Sequence, residues 1–172
     1  MKYQLLFIAT LLTACLSCKK TALENDYQQS YRTWIGFRDS SNNHYQYTKT
    51  FTSWTGSRSE YTVIVKKGQV VQQEYKGYEL NAGAHQPAPQ TSWTEDAASL
   101  NTHHNYEPAL TLDQVYTKAG SEWLKVNRDK NMIYFEVQNR GMISSCGFVP
   151  KGCQDDCFTG IHISDIRALP GN

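Results

Sequence analysis

An excess of charge of either sign is missing from this chain. Its 172 residues carry 17 Lys and Arg against 16 Asp and Glu, a formal net charge of +1. No basic cluster extends beyond the pairs Lys19-Lys20 and Lys66-Lys67. A nucleic-acid surface needs a basic patch or stripe, so the sequence argues against DNA or RNA as a partner. Long apolar runs are equally scarce. Residues 5–14 form the one apolar stretch, about half of the ~20 residues that span a bilayer. Signatures of chemistry are lacking too: there is no Gly-rich phosphate loop, no H-E-x-x-H helix and no nucleophile elbow. Nor does any loop repeat acidic residues at alternate positions, as an EF-hand does.

What is present begins at the N-terminus. Lys2 supplies a minimal positive region ahead of the apolar stretch, the pattern of a signal peptide and not of a permanent anchor. The stretch ends in Leu12-Thr13-Ala14-Cys15. That tetrapeptide resembles the lipobox of bacterial lipoproteins, in which the cysteine is diacylated and becomes the new N-terminus. The resemblance implies lipidation at Cys15, with Cys18 as the alternative acceptor. It also implies a signal peptide over residues 1–14; the polar run that follows reads as a tether over 15–26, and the remaining length as a single domain over 27–172. The expected location is the bacterial cell envelope, anchored to a membrane and facing the periplasm; secretion or surface exposure is the alternative. Lys19 and Lys20 stand where surface-displayed lipoproteins often carry acidic residues, so nothing here favours display.

Periodicity gives the fold class. Tyr27, Tyr31, Trp34 and Ile35 share a helical face, which the Ser-Ser-Asn-Asn run at 40–43 ends. Tyr45, Tyr47 and Phe51 then alternate as a strand. Tyr61, Val63 and Val65 lead into a turn at Lys66-Lys67-Gly68-Gln69 and a returning strand from Val70, a β-hairpin. Residues 78–110 hold three prolines and three histidines with little periodicity, which predicts a long functional or covering loop. Thr111 and Gln114 fit a capping box ahead of an apolar stripe of Leu112, Val115, Tyr116, Ala119 and Trp123. Ile133, Phe135 and Val137 predict a strand, with a turn at 138–141, a return over 142–148 and a last strand over 160–166. The order predicts an α+β fold, an antiparallel sheet with two helices packed on one face. The two hairpins also raise the expectation of two similar helix-plus-hairpin halves.

The Tyr45-x-Tyr47 strand, the hairpin around Lys66-Lys67-Gly68 and the segment Leu110–Tyr116 resemble an uncharacterised family of small secreted bacterial proteins, known only as a domain of unknown function. The resemblance covers roughly residues 30–140. It implies a fold class and export, and no residue roles.

Three of the five cysteines lie in the stretch 146–163, with Asp155, Asp156 and His162. In an oxidising compartment such cysteines are usually bridged. The expected bridge joins Cys146 to Cys153 or Cys157, because a Cys153–Cys157 bridge closes a shorter loop and removes less unfolded-state entropy. The remaining thiol pairs with Cys18 or stays buried. The alternative is zinc held by Cys146, Cys153, Cys157 and His162, against which the unpaired spacing speaks. His162 otherwise reads as a solvent-facing strand residue, and Asp155-Asp156 as a solvated turn. His85, His103 and His104, with Glu95 and Asp96, are candidate ligands in the long loop, but adjacent histidines on extended backbone point apart. Trp54, Trp93, Tyr45, Tyr47, Tyr75 and Tyr78 supply either core or an aromatic platform. These readings converge on a lipid-anchored, non-enzymatic binding module without a cofactor, whose ligand is a protein, peptide or glycan. The alternative is an envelope hydrolase or metal-dependent enzyme using residues 78–110.

Overall fold

A computed structural model describes residues 21–79 and 89–170. The expected signal peptide, Cys15, Cys18 and His85 lie outside the described residues. Helix α1 (Ala22–Ser40) opens within the stretch expected to be tether. The cause is a capping box: Thr21 Oγ1 accepts from Glu24 N–H (3.2 Å), and Glu24 Oε2 accepts from Thr21 N–H (3.0 Å). These bonds satisfy main-chain donors that a helix start otherwise leaves free. At the other end Asn42 and Asn43 take left-handed backbone, with φ of 51° and 55°. Asn43 N–H returns to Arg38 C=O at 2.8 Å, so the helix stops where the polar run begins.

Four strands then form a meander: β1 (Tyr45–Thr52), β2 (Arg58–Lys66), β3 (Gln69–Tyr78) and β4 (Thr91–Asp96). The β2–β3 turn is Lys67-Gly68, both at positive φ, as the right-handed twist of a two-residue hairpin requires. Helix α2 (Leu112–Ser121) comes next, opened by the expected capping box of Thr111 and Gln114, and a single 3-10 turn (Trp123–Lys125) continues it. A second meander closes the chain: β5 (Asn131–Glu136), β6 (Ser145–Pro150) and β7 (Thr159–Ala168). The helix-then-hairpin order recurs, but the turns differ. The β5–β6 connection runs through residues 137–144, so β6 begins three residues later than the sequence pattern indicates.

All seven strands belong to one antiparallel sheet of order β4-β3-β2-β1-β7-β6-β5. The fold is thus α+β. Strand β7 changes partner along its length: Thr159–His162 pair with β6, and Ile163–Ala168 pair with β1 across a bulge at Ser164. Both helices contribute to one core against the inward side of the sheet, with Trp34, Val115 and Tyr116 meeting Tyr45, Tyr47, Val63, Val65, Ile161 and Ile163. Buried hydroxyls are satisfied rather than stranded. Tyr116 Oη accepts from Ile143 N–H (3.1 Å) and bonds Ser30 Oγ (2.8 Å). Trp34 Nε1 donates to Asp113 Oδ1 (2.9 Å), which Arg38 also reaches. Such pairing offsets the cost of burying polar groups. Phe51, expected beside Tyr45 and Tyr47, lies past the covered part of the sheet and is 43% exposed.

Candidate functional site

The cysteine-rich stretch builds a cleft on the outward side of the sheet, around β6, β7 and the β1–β2 turn. Cys153 and Cys157 are bridged, and Cys146, buried in the core, has no bridge to another described residue. The expectation of a bridge from Cys146 is therefore corrected. Alternation along β6 decides it: Cys146 stands opposite Phe135 and Ile161 on the inward face. Burial pushes its thiol up to about 12. The same alternation undoes the zinc alternative of Cys146, Cys153, Cys157 and His162. Residue 162 comes directly after the inward Ile161, so His162 stands on the opposite face from Cys146. Cys153 and Cys157, moreover, are consumed as a disulfide.

The bridge shapes the five-residue loop Cys153–Cys157, whose Asp156 reaches across to the β1–β2 turn. Its carboxylate accepts from Ser53 Oγ (2.6 Å) and from Trp54 N–H (3.1 Å). Trp54 is thereby held on a tethered turn with its side chain 73% exposed. Between the two loops lies a cleft of about 250 Å³ lined by Phe51, Val149, Asp155, Asp156, Phe158 and His162. Phe158 stacks on His162 with ring centroids 4.2 Å apart and meets Tyr134 edge-on at 6.3 Å. Gly147 makes room for the Phe158 ring: a Cβ there would collide with Phe158 and with the main chain of Thr159 and Gly160. Burial draws the His162 imidazole below its ordinary range, against the pull of Glu136.

A second constellation lies in the described part of the expected loop 78–110, where residues 91–110 are more ordered than their composition suggests. Residues 91–96 are strand β4, and Glu95 organises the chain beyond it. Its carboxylate is 1% exposed. It accepts from Asn101 N–H (2.7 Å), Thr102 Oγ1 (3.1 Å) and His103 N–H (2.8 Å), and bonds His103 Nδ1 (2.8 Å). Burial pushes this carboxyl up, but the bonds from His103, Asn101 and Thr102 together outweigh it and hold it at about 2. His103 stacks on Trp93 (4.2 Å, 5°), and Trp93 on Tyr75 (5.3 Å, 19°). His104 forms no part of this arrangement, and among the described residues no three His, Cys, Asp or Glu side chains gather into a metal cluster.

The segment beyond His103 is pinned across the sheet by inward polar residues. Gln73 Nε2 donates to Glu107 C=O (3.1 Å), Lys49 Nζ to Pro108 C=O (3.0 Å) and Tyr47 Oη to Leu110 C=O (2.7 Å). Tyr45 Oη accepts from Leu112 N–H (2.8 Å). Lys49 also lies over the Tyr61 ring, 4.4 Å from its centroid. Burial draws its ammonium down to about 8, partly offset by Glu107. Sequence reasoning missed Lys49, although its place two residues after Tyr47 on an alternating strand marks it as inward.

The six aromatics proposed as a platform are thus dispersed. Tyr45 and Tyr47 are core, Tyr75 and Trp93 belong to the His103 stack, and Tyr78 pairs with Arg58 and Glu60. Trp54 alone stands on the turn beside the cleft, joined to it through Asp156, and is not one of its lining residues. A larger groove of about 750 Å³ lies between α1 and the 3-10 turn, lined by Leu23, Tyr27, Leu124 and Val126 with the Lys125–Glu24 ion pair. It carries less chemistry than the cleft. No family model, no curated protein and no solved structure matches this chain.

Proposed function

We propose that the protein is a lipid-anchored recognition module of the bacterial envelope, without catalytic activity, that binds a peptide or glycan across the Trp54 turn and the neighbouring cleft. The observation that carries this reading is Trp54 itself. A tryptophan left 73% exposed costs solvation unless a partner covers it, and aromatic anchors of this kind dominate recognition surfaces. Asp156 and the Cys153–Cys157 bridge support the reading, because a tethered anchor loses little freedom on binding. The anchor itself rests on the Leu12–Cys15 motif. Arrays of envelope glycans and of short peptides test the recognition. Wild-type protein is expected to retain a defined subset, and Trp54→Ala to lose it at least tenfold. Equal retention by both proteins would remove the cleft from consideration. A fatty-acid analogue supplied to cells tests the anchor: label is expected on wild type and lost in Cys15→Ser.

A second reading, an enzyme built on Glu95 and His103, is favoured by one observation. A buried carboxylate bonded to Nδ1 leaves Nε2 as the ring's remaining basic atom, the arrangement that orients a general base. Hydrolase substrate profiling and metal analysis of the purified protein separate the two readings, since this one requires turnover that His103→Ala abolishes.

A further inference from the structure

Among the described residues the sheet has two unpaired edges, β4 and β5, and they are built differently. Natural edge strands are blunted by charge, by proline or by cover, because an open ladder recruits other strands. β4 ends in two carboxylates, and Asp96 folds back to cap the next turn through Ala98 N–H (3.0 Å) and Ser99 N–H (3.1 Å). β5 has the sequence Asn-Met-Ile-Tyr-Phe-Glu, without proline or lysine. Met132 is 45% exposed, Tyr134 40% and the adjoining Val137 37%. These are three of the six large apolar side chains exposed among the described residues, so the apolar surface is concentrated on one edge.

The main chain of that edge is also available. Lys151 N–H donates to Lys130 C=O at 2.9 Å, which fixes the phase of the β5–β6 ladder. Hydrogen-bonded and non-bonded pairs alternate in an antiparallel ladder. Met132, Tyr134 and Glu136 therefore direct their N–H and C=O groups toward β6, and Asn131, Ile133 and Phe135 direct theirs outward. Pro150 agrees with this phase: it stands opposite Asn131, where β6 has no donor to give.

We propose that β5 is a dimerisation strand, pairing antiparallel with β5 of a second copy about a twofold axis at Ile133. The register rests on three matches. Outward groups must face outward groups, so odd-numbered residues oppose odd-numbered ones. With Ile133 on the axis, Asn131 and Phe135 of the two copies exchange main-chain hydrogen bonds. On the outward face Met132 then meets Tyr134 of the second copy, a thioether against an aromatic ring. Lys130 meets Glu136 of the second copy, opposite charges directly across the strands. Both are exposed, and neither forms an ion pair with another described residue. A foreign strand would have to supply this pattern independently; a second copy carries it already. The dimer runs one continuous sheet through both copies and brings their Tyr134–Phe158–His162 faces side by side.

Charge exchange tests the register on the intact chain. Sedimentation of wild-type protein is expected to show a dimer. Lys130→Glu places carboxylates opposite one another and should weaken it about tenfold, and Lys130→Glu with Glu136→Lys should restore it. A monomer in the wild type, or a double variant no better than the single one, would overturn the proposal. Cross-linking gives an independent arm. Copies carrying Met132→Cys under one tag and Tyr134→Cys under another, expressed together, should form a reducible mixed dimer linking residue 132 to residue 134. The non-bonded pair brings its Cα atoms to ~4.5 Å, within disulfide reach. No mixed dimer, or a stronger band from Tyr134→Cys alone, would show that this pairing is absent.

Discussion

Both the main-chain N–H and the ring Nδ1 of His103 lie 2.8 Å from the same oxygen, Oε1, of Glu95. One buried carboxylate thus fixes a histidine at two points and, through Asn101 and Thr102, turns the chain back over β4. The arrangement is first a structural one. Glu95→Ala removes the buried acceptor shared by the Asn101 and His103 main-chain donors in part-buried hydrogen bonds, and bonds to a charged group contribute about 1.5–3 kcal/mol each. Loss of roughly 2–4 kcal/mol in urea unfolding is expected, with a change in the fluorescence of Trp93.

The same carboxylate makes stability depend on acid. Its folded-state value of about 2 lies below the ordinary 4.5, so the unfolded chain takes up the proton first. The contribution is whole above the ordinary carboxylate range and disappears as pH falls through about 2. Melting temperature should fall between these limits in wild type, and less steeply in Glu95→Gln.

Lys49 produces a slope of opposite origin at alkaline pH. Its folded value near 8 lies below the ordinary 10.5, so between these limits the folded chain has released a proton that the unfolded chain still holds. Stability from this group rises with pH across that window. Lys49→Met should flatten this part of the melting profile, although the Pro108 carbonyl then loses its donor.

Reducing Cys153–Cys157 should act locally. A loop this short contributes about 2 kcal/mol in the chain-entropy model, too little to unfold the sheet. The expected result is unchanged far-ultraviolet dichroism, a modest drop in melting temperature and a shift in Trp54 emission as Asp156 loosens. Loss of the entire fold on reduction would contradict this assignment.

Gly147 faces Gly160 across β6 and β7 with Phe158 laid over the pair. Gly147→Ala places a methyl group within 2.8 Å of Gly160 Cα and against the Phe158 ring. Overpacking of this kind costs about 1–3 kcal/mol, and ligand retention at the cleft should fall with it.

Local signals were the legible ones. Thr111 with Gln114, the Lys67-Gly68 turn and the Asn42-Asn43 stop each act within a few residues, and the structure uses them as written. Thr21 with Glu24 is the same kind of signal, obscured because it sits in a polar stretch that reads as tether. β4 was hidden by the proline-rich chain before it, and its pairing with β3 is not encoded in its own six residues. Cys146 misled for a related reason: proximity along the chain suggested a bridge, while the alternation of β6 had already turned its thiol inward. The cleft depends on Asp156 meeting Ser53, more than a hundred residues away, and no spacing in the sequence announces that contact.

The handover of β7 between β6 and β1 has a consequence for how the protein is made. Residues 45–49 find their second neighbour only in residues 163–168, so the first strand waits for the seventh. A chain emerging from a ribosome can form the first meander early, but it cannot join the two until residues 163–168 have emerged. Contacts this distant in sequence also slow folding. Until those residues emerge, one edge of β1 keeps its main-chain groups unpaired, which makes this interval the time when a chaperone has most to bind.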